Sequence, residues 1–364
     1  ARCFKNKLYG HADDKARYPG WGMDGQALHC QEHGVPPEKW CITKEDFLLL
    51  RQEIQRAIQA GKIIPTERDP FDPEDNSYGP NMYNVVESYI KPLSNEAGGM
   101  SWALMRHPEG LQCDIFITHC WAEGAFEFID KVIASWPKNR KTKHAWCCIF
   151  ANPQTLDIGH LIRDPHTSPF AVALRKSSQM MVVSTRNVSI YSRIWCAYEA
   201  YLATSEEQTI FVAGRQRGGW LVNTGILVAC ICSAKKGVLS ADRPWSIWAV
   251  IFGCHLLECF YYYQARKAEA VELQSNYTSL LEAEASNPDD KAHILNDIGE
   301  NIQAVEKSVG LILTVGISTP YLRRAAQRGA EAWGSADPSL PVITCYAWLS
   351  SVLAGEEDTV DQAV

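Results

Sequence analysis

This 364-residue sequence has no excess of positive charge: 35 Lys and Arg stand against 42 Asp and Glu, a formal net charge of −7. Without a global basic field, binding to nucleic acid or to an anionic membrane surface is not expected. Cysteine is too sparse and irregular for a disulfide scaffold, and the count of 13 is odd. We therefore expect a reducing, intracellular, cytoplasmic setting with mostly free thiols, in which the sequons at Asn187 and Asn276 are idle. The first 30 residues hold no apolar run, so no signal peptide is expected. Neither a collagen period nor a heptad run is present. A 46% hydrophobic content excludes disorder along most of the length. At roughly 150 residues per domain, the chain suits two domains or one elaborated domain.

Four stretches differ in character. Residues 1–100 are rich in Gly, Pro, Trp and charge, and read as a loop-rich N-terminal extension with one helix. Thr43 with Asp46 forms a cap variant, Phe47, Leu48, Leu50, Ile54 and Ile58 give a helical stripe, and Gly61 supplies the stop. Pro65–Pro80 is a turn-rich acidic loop, and Met82–Pro92 is expected to be extended. In 101–214, compact apolar runs at Asp114–His119, Ala145–Phe150, Met180–Ser184 and Thr209–Ala213 alternate with helical patterns, the last over Ile194–Ala203. This alternation predicts an α/β fold with a doubly wound parallel sheet and a ligand site beyond the carboxyl ends of its strands. Residues 215–268 hold two apolar segments, Trp220–Ala234 and Trp245–Tyr263, expected to form a helical hairpin. The second is near the roughly 20 residues that span a bilayer, but Glu258 inside it would cost ~2.5–3.5 kcal/mol. Membrane association through 220–263 and packing on the protein both stay open. Residues 269–364 read as a helical part: one helix from Asp289 through Val309 to a stop at Gly316, another from Ser318 with Pro320 in its first turn. A strand at Pro341–Tyr346 would complete the sheet.

Most motifs have a bland reading. Gly20-Trp-Gly-Met-Asp-Gly25 matches the dinucleotide pattern but lacks the strand before and the helix after it, so it reads as a glycine-rich loop. His29, Cys30, His33 and Cys41 have ligand chemistry without a standard zinc spacing, so no metal is expected. Lys138, Arg140, Lys141 and Lys143 read as a solvated turn. His119 and Cys120 point to opposite faces if the strand continues through them, and no third orienting group is evident. Ser192-Arg-Ile-Trp-Cys-Ala-Tyr-Glu199 is more informative. Trp195 and Glu199 are four apart on a helix, placing a carboxylate beside an indole near the sheet's carboxyl edge. Such a pair suits sugar hydroxyls or a developing positive charge at an anomeric carbon. From spacing alone, the expectation is the plainer one, an exposed Glu on a helix whose Trp anchors the core.

Together, Asp114-Ile-Phe-Ile-Thr-His119, Val182-Val-Ser184 and Ser192–Glu199 resemble a Toll/interleukin receptor (TIR) domain over residues 111–214. His119-Cys-Trp121, the Trp-Cys strand that follows and Ser168-Pro-Phe are similar to a divergent, protist-type group of it. The resemblance implies a flavodoxin-like sheet. It implies one of two roles: a signalling and interaction module that self-associates or binds other TIR-like proteins, or an NAD glycohydrolase (NAD+ nucleosidase) that cleaves the nicotinamide–ribose bond. We expect the first, with the second as the alternative. In the hydrolase, Glu199 is the catalytic residue. Trp195, Trp121 and His119, with Asp157 and Arg163 of the loop Asn152–Ser168, would bind the nucleotide. NAD is then substrate, and no other cofactor is required.

Overall fold

The apolar runs of 111–214 form strands of one six-stranded sheet in the computed structural model of the chain. In chain order these are β1 (Ile42–Thr43), β2 (Ile115–Thr118), β3 (His144–Cys147), β4 (Gln179–Val182), β5 (Thr209–Val212) and β6 (Ile317–Ser318). Their spatial order is β1-β3-β2-β4-β5-β6. The four inner strands are parallel, and β1 and β6 close the edges antiparallel. Every residue of β2 is buried, because both faces of this central strand are covered. The structure describes residues 16–137, 142–184, 189–214, 279–285, 288–315, 317–320 and 323. The expected hairpin at 220–263, the strand at 341–346, both sequons, the acidic end, and Lys138, Arg140 and Lys141 of the basic run lie outside the described residues.

Six longer helices surround the sheet: α1 (Lys44–Gln59), α2 (Ala125–Ser135), α3 (Pro169–Lys176), α4 (Ile194–Ser205), α5 (Pro288–Ile298) and α6 (Ile302–Val315). The crossovers from β2 to β3 and from β3 to β4 run in opposite directions, so the right-handed rule for parallel connections puts α2 on one face and α3 and α4 on the other. The contacts agree: α2 packs with α1, while α4 packs with α3, α5 and α6. The chain direction reverses between β2 and β4, the position in such sheets where ligand crevices form.

The capping box at Thr43 and Asp46 is present and opens α1, and Gly61 ends its last turn with φ +68°. Three expectations change. Met82–Ala97 is helical rather than extended, because Met82, Val85, Val86, Tyr89, Ile90 and Leu93 recur at helical spacing and are all buried. A wider i→i+5 turn over Val86–Ile90 lies just before Pro92, whose ring cannot fit a regular helix interior. The strand at Ala145–Phe150 stops at Cys147, and Cys148–Ala151 makes one helical turn. The single helix expected from Asp289 is split at Gly299, whose φ of +53° ends α5 before α6 begins.

The N-terminal stretch shares the core of the sheet. Phe47 of α1 meets Phe128, Trp136 and Phe150 at ring distances of 6.0, 6.0 and 5.2 Å. Trp146 of β3 stacks on Phe116 of β2 at 5.0 Å and donates its indole N–H to the Pro37 carbonyl at 3.1 Å. Gly20 and Gly25 lie against backbone: an added Cβ would come within 2.6 Å of Leu104 O and 2.3 Å of Met100 N. Close packing accounts for Gly20 and Gly25, and a φ of +83° accounts for Gly22.

Candidate functional site

A cavity of about 190 Å³ opens beyond the carboxyl ends of β2 and β3. Ile117, Thr118 and His119 enter it from the end of β2, and Cys148 and Asn152 from the turn after β3. The start of α4 closes it with Arg193, Trp195, Cys196 and Glu199. Two further helices complete the wall with Phe170 and Asp290. Trp195 stacks on Phe170 at 5.0 Å and donates Nε1–H to Asp290 Oδ2 at 3.0 Å, which holds the indole plane along the wall. Trp121 rests against Tyr83 at 5.4 Å, and Arg193 donates to the Tyr83 hydroxyl at 3.0 Å.

Glu199 is 5% exposed, and its exposed trace faces the cavity. No hydrogen bond reaches its Oε2, and no ion pair joins it to a cation among the described residues. Burial pushes its carboxyl up to about 8, against the opposing pull of the Thr118 hydroxyl and the Arg193 guanidinium. The group is therefore protonated at neutral pH and easily ionised by an incoming cation.

Across the cavity, His119 has a fully buried side chain with both ring nitrogens engaged. Nδ1 lies 2.6 Å from Glu123 Oε1, and Nε2 lies 3.1 Å from Cys148 Sγ. Trp121 donates Nε1–H to the same sulfur at 3.4 Å. Burial pushes His119 down to about 3 and Glu123 well above the usual carboxylate range, so both charged forms are penalised. It also pushes the Cys148 thiol up to about 12. Behind this pair, Lys131 ion-pairs with Glu127 at 3.4 Å and donates to the Ser184 carbonyl at 2.7 Å.

The fold thus brings together Glu199, Trp195, Trp121 and His119. Asp157 and Arg163 stay outside: both are exposed, and Asp157 accepts from the Gly159 amide within its own loop at 2.9 Å. Ile162 is the part of that loop that reaches the cavity. The residues that sequence reasoning missed are Glu123, Cys148 and Asn152. His119 and Glu123 are four apart, a usable signal. The neighbourhood of Cys148 follows only from the register that sets Ile117 beside Cys147. β2 ends at Thr118, so strand alternation does not govern His119 and Cys120; Cys120 is nonetheless buried, and the ring nitrogens bond to Glu123 and Cys148 instead.

Of the ligand-like residues near the N-terminus, His29 and Cys41 are built into the packing, while Cys30 and His33 are exposed. His29 Nε2 accepts from the Ser101 amide at 3.0 Å, its ring meets Trp40 at 4.4 Å, and Cys41 is buried. Among the described residues, no three His, Cys, Asp or Glu groups are placed to hold a metal, and the cysteines are free thiols. No family model matches this chain, and no curated protein or solved structure matches it either.

Proposed function

We propose that the cavity cleaves the N-glycosidic bond of a nicotinamide nucleotide, with Glu199 as the catalytic carboxylate in a TIR-like, flavodoxin-like domain. The observation that carries this reading is a buried Glu199 with an unpartnered oxygen, lining a cavity at the carboxyl edge of a parallel sheet. The parallel strands run β3-β2-β4-β5, which corresponds to the 2-1-3-4 part of the flavodoxin-like order. The pyridinium ring of the substrate brings the positive charge that Glu199 lacks, so binding favours the carboxylate and releases a proton. Trp195 and Trp121 supply flat apolar walls for the ring. As the bond between ribose C1′ and the ring nitrogen breaks, the electron pair leaves with nicotinamide. Glu199 then stabilises the positive charge on the sugar. Water adds to C1′ and gives ADP-ribose, nicotinamide and a proton.

The cavity volume favours a second, compatible role in self-association. About 190 Å³ lies below the roughly 300–1,000 Å³ of sites that enclose a ligand, so one chain houses the ring and sugar end but not a whole dinucleotide. A second copy over the mouth would enclose the rest, in keeping with an assembling signalling module.

The test is nicotinamide release from NAD by purified protein, alone and under forced self-association. We expect turnover that rises on association, increases with pH through about 8, and falls at least ~100-fold in Glu199→Gln. No release at high protein concentration in either format would sink the hydrolase reading.

A further inference from the structure

We propose that Cys148, His119 and Glu123 form a second reactive centre in this cavity: a cysteine nucleophile with its general base and a positioning carboxylate, suited to a small amide or ester. The inference stands apart from the nucleotide reading, and its test contains no nucleotide.

The geometry is that of an activated nucleophile. Thiol and imidazole are 3.1 Å apart, and imidazole and carboxylate 2.6 Å, both within the distances such chemistry uses. In the reactive tautomer the ring proton sits on Nδ1 and is donated to Glu123 Oε1, which leaves the Nε2 lone pair facing the thiol. Access separates Cys148 from its neighbours: Cys120, Cys147 and Cys196 are buried, while Cys148 is partly exposed and lines the cavity. One donor could receive the charge that develops on the attacked oxygen: Trp121 Nε1–H, which already points at the sulfur. The small volume and the aromatic rings of Trp121, Phe170 and Trp195 limit the acyl group to a short or flat one.

In the first step, sulfur attacks the carbonyl carbon as the thiol proton passes to His119 Nε2. The bond to the leaving oxygen or nitrogen breaks, and that atom takes the proton from His119. In the second step, His119 accepts a proton from water, which attacks the thioester. The carboxylic acid departs, and the sulfur regains its proton. No oxidant or metal enters the balance.

The full chain should be treated with p-nitrophenyl acetate, following p-nitrophenolate release and locating the acetyl group by peptide mass spectrometry. We expect a burst with acetyl on Cys148, at least ~100-fold faster than on the exposed thiol of Cys30. The charged and titratable groups around the sulfur are Arg193, Glu199, Glu123 and His119. A thiol pushed up to about 12 and acting unaided would react about tenfold faster per pH unit through pH 10. With His119 as base, the rate should instead level off below pH 9. His119→Asn should remove the burst, and Glu123→Gln should slow it at least ~10-fold and turn the plateau into a continuous rise, a change that a merely structural role would not cause. Acetylation of Cys148 no faster than that of Cys30, or a wild-type rate that climbs without a plateau, overturns the proposal. The wild-type profile decides the matter even if the variants fail to fold.

Discussion

Glu199 has a raised pKa because its carboxyl group has left water without gaining a cation on its oxygens. Its folded value, about 8, lies above the ordinary value of 4.5, so the native state holds the extra proton between these limits. The sign follows: the stability linked to this group is complete below about pH 4.5 and is lost as pH rises through 8, at up to about 1.4 kcal/mol per pH unit. Glu199→Gln should therefore match the wild type near pH 5 and gain stability over it at pH 7 and again at pH 9. Thermal melts at the three values test this, and a gap that does not change with pH would refute it. Glu199 was legible in the sequence because its relation to Trp195 is local, four residues along one helix. The partnership of Cys148 with His119 was not, because it spans 29 residues and two strands. Glu123 fell between these cases. It is four residues from His119, but the intervening segment is a turn with a bond from Glu123 N to Cys120 O, which helical periodicity does not describe.

At the level of elements, the start of α1 joins local and distant contacts. Asp46 closes the capping box with Thr43 and also accepts from Arg106 Nε at 2.8 Å, with His107 Nε2 2.7 Å away. Burial would raise this carboxyl, but the bonds from His107, Thr43 and Arg106 outweigh it and hold it at about 2, below the ordinary 3.8. A depressed carboxylate stabilises the fold above its unfolded pKa, and that contribution is lost as pH falls toward 2. Asp46→Asn should cost on the order of 2 kcal/mol at pH 7, with the gap closing between pH 4 and 2. Denaturant melts across that range would show it, and an equal loss at pH 7 and pH 2.5 would assign the effect to packing. The cap was legible because it lies within four residues. Its ties to Arg106 and His107 were not, since about 60 residues intervene. Met82–Ala97 was misread for a related reason. Pro92 argues against a helix locally, but burial of the apolar stripe and one widened turn carry the helix past it.

Across the whole molecule, the leader set apart by composition and the α/β part form one core. β1 pairs with β3, Trp146 hydrogen-bonds to Pro37, and Trp102 packs on Phe150 at 5.4 Å. A chain beginning at residue 101 would expose the β3 edge and the rings that Phe47 covers. Each uncovered large side chain forfeits roughly 1.5–3 kcal/mol of burial, enough in sum to exceed the stability of an ordinary domain. We expect that truncation to be insoluble or without a cooperative melt, and a soluble product with a sharp transition would show two separable units. The sequence alone determined the α/β class, the succession of the four inner strands, the capped helix α1 and the placement of Glu199 beside Trp195. Each rests on periodicity or spacing within one element, where backbone geometry dictates which side chains are neighbours. Only the tertiary structure decided that the N-terminal stretch joins the core, that Gly20 and Gly25 serve packing, and that Cys148, His119 and Glu123 meet opposite Glu199. Those outcomes depend on strand order and register, which arise from burying apolar faces across distant parts of the chain and leave no periodic trace in it.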